Sequence, residues 1–126
     1  MPLELGLDTF GDRTNGYVFI TNPDGAKYRE TITSLFNKAV LENDLKWPNW
    51  EGNRNKALAA INWLRDNGIS NIRGHNLVWP NWQYLPADLQ KLATNPPALR
   101  ERILTHIADE VSATRGLLPE WDVLNE

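Results

Sequence analysis

The sequence contains no cysteine, which excludes disulfide bonds and thiolate metal sites. It also has no apolar run long enough to span a bilayer. Its 13 basic and 16 acidic residues are spread along the chain and give a net charge of only −3. This pattern indicates neither a nucleic-acid surface nor a polybasic membrane anchor. No metal-ligand cluster stands out, so we expect no metal or organic cofactor, and the oligomeric state is left open.

The first five residues, Met1 to Leu5, lack the basic and apolar regions of a signal peptide. A secreted parent protein could have lost such a segment by processing. The 126 residues, 41% of them hydrophobic, suffice for one ordinary core. Six tryptophans are many for this length. Each one either belongs to the core or offers a flat, rigid surface to the apolar face of a sugar ring.

Strand and helix patterns alternate along the chain. Alternating or continuous apolar residues predict strands at 3–7, 38–41, 69–73 and 120–124. Helical spacing predicts three inward faces: Tyr28, Ile32, Leu35 and Phe36; Ala57, Leu58, Ile61 and Leu64; Leu99, Ile103, Ile107 and Val111. Glycine, asparagine and proline predict loops at 8–25, 46–53 and 80–97.

This alternation predicts an α/β fold with parallel strands and right-handed crossovers. Four β/α units are the first half of a TIM (β/α)8 barrel, which usually needs about 250 residues. A short flavodoxin-like sheet is the competing architecture. That alternative lacks support, because no strand end here carries a glycine-rich phosphate loop.

Polar pairs follow the last three predicted strands. They are Glu42-Asn43, His75-Asn76 and Asn125-Glu126. Each residue alone could be an exposed loop residue, a satisfied core histidine or a turn former. In a parallel barrel, however, all strand C-termini open on one face, where active sites lie. The pairs therefore predict a common site. The second histidine, His106, falls at a helical position and is expected to be structural.

Three segments carry a family resemblance. FNKAVLENDLKW (36–47), RGHNLVW (73–79) and WDVLNE (121–126) resemble the second-, third- and fourth-strand signatures of glycoside hydrolase family 10, the xylanase family. The motifs stand in the family's order and cover residues 36–126. Phe10-Gly11 is similar to the family's first-strand Phe-Gly, but the residues at 12–14 depart from it. The resemblance implies that residues 1–126 are a partial catalytic domain.

The resemblance implies retaining hydrolysis of β-1,4-xylan or xylo-oligosaccharides. Glu126 would act as general acid and then as general base. Asn125 would hydrogen-bond the sugar 2-hydroxyl beside the scissile bond, and His75 and Trp79 would line the same subsite. Asp122 lies one step off the rim by strand alternation, so we expect it to brace its neighbours.

Further binding roles are implied around the second strand. Asn43 and Lys46 would hold the next sugar, with Glu42 beside them, and Trp47 would support the cleft wall. One departure from the family concerns the third strand. Pro80 stands where a histidine commonly follows the tryptophan, so a hydrogen-bond donor at the reacting sugar is missing or replaced. Substrate preference is more affected by this change than reaction type.

A retaining glycosidase also needs a nucleophilic carboxylate about 5–5.5 Å from the acid. The resemblance puts this group on a seventh strand, outside these 126 residues. We therefore expect the 126-residue polypeptide to be inactive. Half a barrel leaves two open sheet edges, so poor stability or self-association is also expected.

Two other functions fit parts of the pattern. A cellulase- or mannanase-type barrel would share the Asn-Glu pair but not the Lys46-Trp47 motif. A non-catalytic barrel that binds xylan or oligosaccharides would keep the aromatic cleft without needing Glu126. For a polysaccharide-degrading parent protein, we expect secretion or a periplasmic location.

Overall fold

The computed structural model describes residues 4–7 and 25–125, and within them four strands form one parallel sheet in sequence order. The strands are β1 (Glu4–Leu7), β2 (Lys38–Leu41), β3 (Asn71–Val78) and β4 (Glu120–Leu124). The helices are α1 (Ala26–Leu35), α2 (Trp47–Asp66), α3 (Ala87–Leu92) and α4 (Pro96–Ala113), with one 3-10 turn at Trp82–Tyr84. The predicted alternation of strands and helices is confirmed.

The strand register brings the C-terminal ends of the strands to one edge. Glu4 pairs with Lys38, Lys38 with Asn71, and Arg73 with Glu120. The ladder between β3 and β4 is regular up to His75 and shifts between His75 and Val78. Residues that follow β2, β3 and β4 therefore emerge on the same rim, as half of a parallel barrel requires.

The apolar core lies between the sheet and α2. Ala57, Ile61 and Leu64 of α2 are fully buried, as their spacing predicts, and they pack with Leu41 and Ile72 of the sheet. Burying one Leu or Ile side chain stabilises a fold by about 1.5–3 kcal/mol. This layer holds β2 and β3 against the long helix. None of the helices in the described ranges is long and apolar enough to cross a membrane.

Helix α2 begins earlier than its sequence indicates. The sequence predicts a loop at residues 46–53, but the helix starts at Trp47 and is kinked at Asn53, whose backbone is non-helical (φ −158°, ψ 71°). Pro48 lies in the first turn, where its missing N–H costs nothing. The Trp50 N–H donates to the Lys46 carbonyl at 2.9 Å. The proline is therefore a helix start and not a loop signal.

The inward face of α4 also differs from its predicted apolar stripe. The buried side chains of α4 are His106 and Glu110, whereas Val111 is 38% exposed. On α1, Ile32 is buried as predicted, but Leu35 is 59% exposed. The predicted stripe on α4 is only partly buried, because the side of α4 that meets α2 carries His106, which stacks on Trp47, and Asp109, which accepts from the indole N–H of Trp50.

The predicted loop at 80–97 contains short helices. The 3-10 turn and α3 lie there, and Pro96 begins α4. Strand β3 also runs on to Val78, five residues beyond its predicted end at Arg73. Segments this short carry too few residues for a periodic pattern to show. The predicted loop at 8–25 lies outside the described residues apart from Gly25, the N-cap of α1.

Gly74 has no room for a side chain, because a Cβ there would overlap the indole of Trp121. We expect Gly74→Ala to lower the free energy of unfolding of the full-length protein by about 1–3 kcal/mol, the usual cost of overpacking. Urea denaturation measures it. Gly52→Ala is the matched control, since nothing lies within 4 Å of its Cβ and alanine favours a helix. Equal midpoints for both variants would refute the steric account.

The described sheet ends at β1 and β4, and the last residues of β4 expose apolar surface. Val123 is 56% and Leu124 67% exposed. We expect the 126-residue polypeptide to self-associate through this edge, because unpaired strand groups and apolar side chains recruit another chain. Sedimentation velocity over a range of concentrations measures the association.

Replacing both residues by lysine should reduce the association, whereas Leu104→Lys on α4, a residue that is 46% exposed, should not. A monomeric polypeptide that unfolds cooperatively would contradict this expectation.

Candidate active site

A cavity of about 280 Å³ opens among the strands. Its lining comes from three strands and the segment after β2: Gly6, Val40, Glu42, Lys46, Arg73 and His75. Three residues predicted for the site, Glu42, Lys46 and His75, thus share one cavity although they span 33 positions. A concave site with a few convergent polar groups is the usual form of a small-molecule site.

Asp122 on β4 contacts two of the residues that line this cavity. His75 Nδ1 lies 2.9 Å from Asp122 Oδ2, and Arg73 donates to the same oxygen. An Nδ1–H that donates to the carboxylate leaves Nε2 as the acceptor nitrogen of the imidazole. Asp122 therefore braces its neighbours, as strand alternation predicts.

The same ion network reaches the first strand. Arg73 donates to Glu4 at 2.9 Å, and Lys38 bridges Glu4 and Glu120. Hydrogen bonds from Arg73 lower the pKa of Glu4, so this carboxylate stays ionised. TIM barrels usually fill their interior with branched apolar side chains. Here, alternating charges tie all four strands together on the face that carries the cavity.

The rim between β3 and β4 is tied together through asparagine. Asn76 is fully buried, and its Nδ2 donates to the Asn125 carbonyl at 3.1 Å. The Asn125 N–H donates to the Val78 carbonyl at 3.2 Å. Asn125 itself is exposed, as its predicted binding role needs. The predicted acid, Glu126, lies outside the described residues, and so does Phe10-Gly11.

Lys46 lies beside an aromatic stack at the end of β3. Trp79 stacks on Tyr84 with ring centroids 3.6 Å apart and planes at 8°. The Lys46 ammonium lies 4.5 Å from the Trp79 ring centroid, within cation–π range. Asn43, also predicted for the site, is exposed in the connection before Lys46, and its carbonyl accepts from the Lys46 N–H at 3.0 Å.

Trp47 lies behind the rim and not on it. It is 1% exposed, and its indole N–H donates to Glu51 at 2.7 Å. Its ring stacks on His106 with centroids 4.0 Å apart. Its ring face and its N–H are therefore both occupied by other side chains. Its position directly after Lys46 still suits support of the cleft wall.

A polar layer between α2 and α4 backs this wall, and the sequence reading missed it. Trp47, Glu51 and Arg102 form one set, in which Arg102 donates twice to Glu51 at 2.8 Å. Trp50, Arg54 and Asp109 repeat the arrangement, since indole and guanidinium both donate to Asp109. The available signal was the helical spacing of Trp47 to Glu51 and Trp50 to Arg54.

His106 connects this layer to the third strand. Its Nε2 lies 3.0 Å from the Leu77 carbonyl, two residues before Trp79. The imidazole is fully buried and stacks on Trp47. One side chain thus contacts both sequence motifs that contribute to the cavity, and its predicted structural role agrees with this placement.

The family model of Glycosyl hydrolase family 10 matches residues 7–126. The chain belongs to this family. Endo-1,4-beta-xylanase 3 of Hypocrea jecorina is 37% identical over 100 residues, which cover 75% of this chain and 28% of that protein. The resemblance seen in the three strand-end motifs is thereby confirmed.

Solved structures of family 10 proteins share the fold. Xylanase 10B from Thermotoga maritima matches with a TM-score of 0.75 and 29% identity, over 86% of this chain and 34% of that one. Xylanase 10B from Thermotoga petrophila RKU-1, in complex with xylobiose, matches with a TM-score of 0.71 and 26% identity, over 86% and 33%. The chain thus spans about a third of the relatives it matches. The half-barrel prediction is confirmed.

Glu110 on α4 has a fully buried carboxyl group, which is unusual for an acidic side chain. Burial raises its pKa to about 7, against the neighbouring imidazole of His106, which lowers it from 3.2 Å away. In the unfolded chain the carboxyl ionises near its ordinary pKa of 4.5, while the folded chain keeps the proton. Between these values the unfolded state binds fewer protons, so stability falls as pH rises from about 4.5 to about 7.

We expect Glu110→Gln to flatten this dependence and to stabilise the full-length protein at pH 8 by up to about 3 kcal/mol, the free energy of a shift of this size. Urea unfolding at pH 5 and pH 8 measures the effect. Glu101→Gln, an exposed position on the same helix, should keep the pH dependence of the parent. A Glu110→Gln protein with the parent's pH dependence would rule out this carboxyl as its source.

Proposed function

We propose that the full-length protein is a glycoside hydrolase that cleaves β-1,4-xylosidic bonds in xylan or xylo-oligosaccharides. The observation that carries this proposal is the cavity at the strand ends, where Glu42, Lys46 and His75 meet. Family membership and relatives named as endo-1,4-β-xylanases support the substrate class. The xylobiose complex of a structural relative supports an oligosaccharide ligand of the same chemistry.

The proposed reaction is a retaining double displacement. Glu126 protonates the leaving oxygen, then deprotonates the water that releases the sugar from the enzyme. The nucleophilic carboxylate comes from the part of the barrel beyond this chain. Asn125, whose backbone is tied to Val78 and Asn76, precedes Glu126 in the sequence and hydrogen-bonds the 2-hydroxyl group in this proposal. Such a bond strengthens as charge develops in the transition state.

The cavity residues bind and orient the sugar in this proposal. Lys46 supplies N–H donors, and the carboxylate of Glu42 accepts hydrogen bonds from hydroxyl groups. Asn43 joins them from the adjoining exposed segment. His75 is held by Asp122, so its imidazole meets the sugar in a fixed orientation. Groups that are oriented before the substrate arrives lose less entropy on binding.

The departure at Pro80 bears on specificity. Pro80 is exposed and has no N–H to donate. In this proposal the donor commonly found at this position in the family is missing, and His75 supplies a polar contact from the cavity lining. Because the substrate is a polymer, we also propose that the parent protein acts outside the cytoplasm, secreted or in a periplasm.

Glu126→Gln in the full-length protein tests the acid role. We expect kcat on xylan to fall by about 10²–10⁴-fold, the usual contribution of general acid–base catalysis. An aryl xyloside with an acidic phenol leaving group needs little proton assistance, so bond cleavage on it should fall far less. Reducing-sugar release measures the rate on xylan. The pre-steady-state burst of phenol absorbance measures bond cleavage on the aryl xyloside, because the same substitution also slows the later release of the sugar from the enzyme.

Glu30→Gln, an exposed position on α1, should leave both rates unchanged. Equal losses on both substrates would contradict a proton donor at Glu126. A parent protein that binds xylo-oligosaccharides without cleaving them would instead support a non-catalytic binding barrel. Preference for carboxymethyl cellulose over xylan would support a cellulase-type enzyme.

A further inference from the structure

Two aromatic side chains remain exposed beside the candidate site. Trp82 is 49% and Tyr84 38% exposed, and both belong to the 3-10 turn that follows β3. Single exposed apolar residues are common on protein surfaces and need no explanation. Here two of them share one turn, only a few residues beyond Trp79, whose ring contacts the cavity residue Lys46.

Trp79 itself offers little flat surface to a sugar. Tyr84 covers its ring at 3.6 Å, and the Lys46 ammonium lies over it at 4.5 Å. A pyranose stacked on Trp79 would have to displace one of these groups. A flat aromatic contact with a sugar therefore has to come from elsewhere.

The turn that carries Trp82 is held in place by its own hydrogen bonds. The Asn81 side chain accepts from the Gln83 N–H at 2.9 Å, and the Asn81 carbonyl accepts from the Tyr84 N–H at 2.9 Å. The Asn81 N–H donates to the Trp79 carbonyl at 2.7 Å. The stack of Tyr84 on Trp79 closes the turn. An aromatic side chain on an ordered turn is preorganised, which reduces the entropy lost on binding.

We propose that Trp82 is a further sugar-binding residue, whose indole stacks on a pyranose ring of the same polysaccharide just outside the cavity. It lies three positions after Trp79, so the two Cα atoms are within about 11 Å of one another. A polymer that occupies the cavity has to continue across the neighbouring surface. The flat indole matches the apolar C–H face of a pyranose ring.

Tyr84 holds the turn that carries Trp82, and Trp82 makes the contact with the sugar ring. The ligand is a β-linked pyranose of the substrate chain, so this inference rests on the proposed function. It assigns the turn at residues 80–84 to binding of longer oligosaccharides. Pro80, which stands where the family commonly has a histidine, thus lies in the same loop as this aromatic surface.

The test uses the full-length protein carrying Glu126→Gln, so that ligands are not cleaved, and isothermal titration with xylobiose and xylohexaose. We expect Trp82→Ala to weaken xylohexaose binding by about three- to tenfold, the range that corresponds to one aromatic stacking contact. Xylobiose, which is short enough for the cavity alone, should bind within about twofold of the parent. Trp82→Phe should restore most of the loss.

Leu104→Ala is the matched control, because it removes apolar surface of similar exposure, 46%, from α4. Its binding of both ligands should equal that of the parent, and circular dichroism confirms that each variant folds. Unchanged xylohexaose binding by Trp82→Ala would overturn the inference while the proposed function stands. Equal weakening for both ligands would also overturn it, since Trp82 would then act on the cavity. A parent that binds neither ligand would overturn the proposed function as well.

Discussion

The positions of two cavity residues, Arg73 and His75, depend on the carboxylate of Asp122. It accepts from Arg73 and lies 2.9 Å from His75, so one side chain on β4 sets two side chains on β3. Arg73 extends this network to β1, because it also donates a hydrogen bond to Glu4. A partly buried charge must keep its partners, because removing one leaves the others uncompensated in a poorly solvated place. The position of His75 is therefore tied to the integrity of the sheet and not to a local loop.

A second constraint comes from behind the sheet. The indole N–H groups of Trp47 and Trp50 both donate to carboxylates, and a guanidinium completes each set. Buried indoles need such acceptors, since an unpaired N–H costs about 1–3 kcal/mol. The two sets tie α2 to α4, and His106 extends the contact to the Leu77 carbonyl. Two kinds of contact thus support the rim. Polar pairs hold α2 against α4, and apolar packing holds α2 against the sheet.

Much of this arrangement could be read from the chain in advance. The apolar positions of α2 at 57, 61 and 64 give the core face, because burial follows a period of 3.6 residues. The polar pairs after β2, β3 and β4 indicate the rim, because parallel strands end on one side. Prediction from the sequence failed in two places. Pro48 was part of a predicted loop but lies in the first turn of a helix, and the buried positions of α4 are polar. Periodicity measures hydrophobicity alone, so it misses a face whose burial depends on hydrogen bonds.

Sequence alone determined the order of elements, the parallel topology and the identity of the residues that could do chemistry. These follow from the spacing of residue types along the chain, which does not depend on tertiary contacts. Only the tertiary structure decided that Trp47 lies buried behind Lys46, that Asp122 holds His75, and that Tyr84 covers Trp79. Each of these contacts joins residues on different elements or across a turn. Which of several possible partners a side chain meets is settled by packing, and packing has no period along the chain.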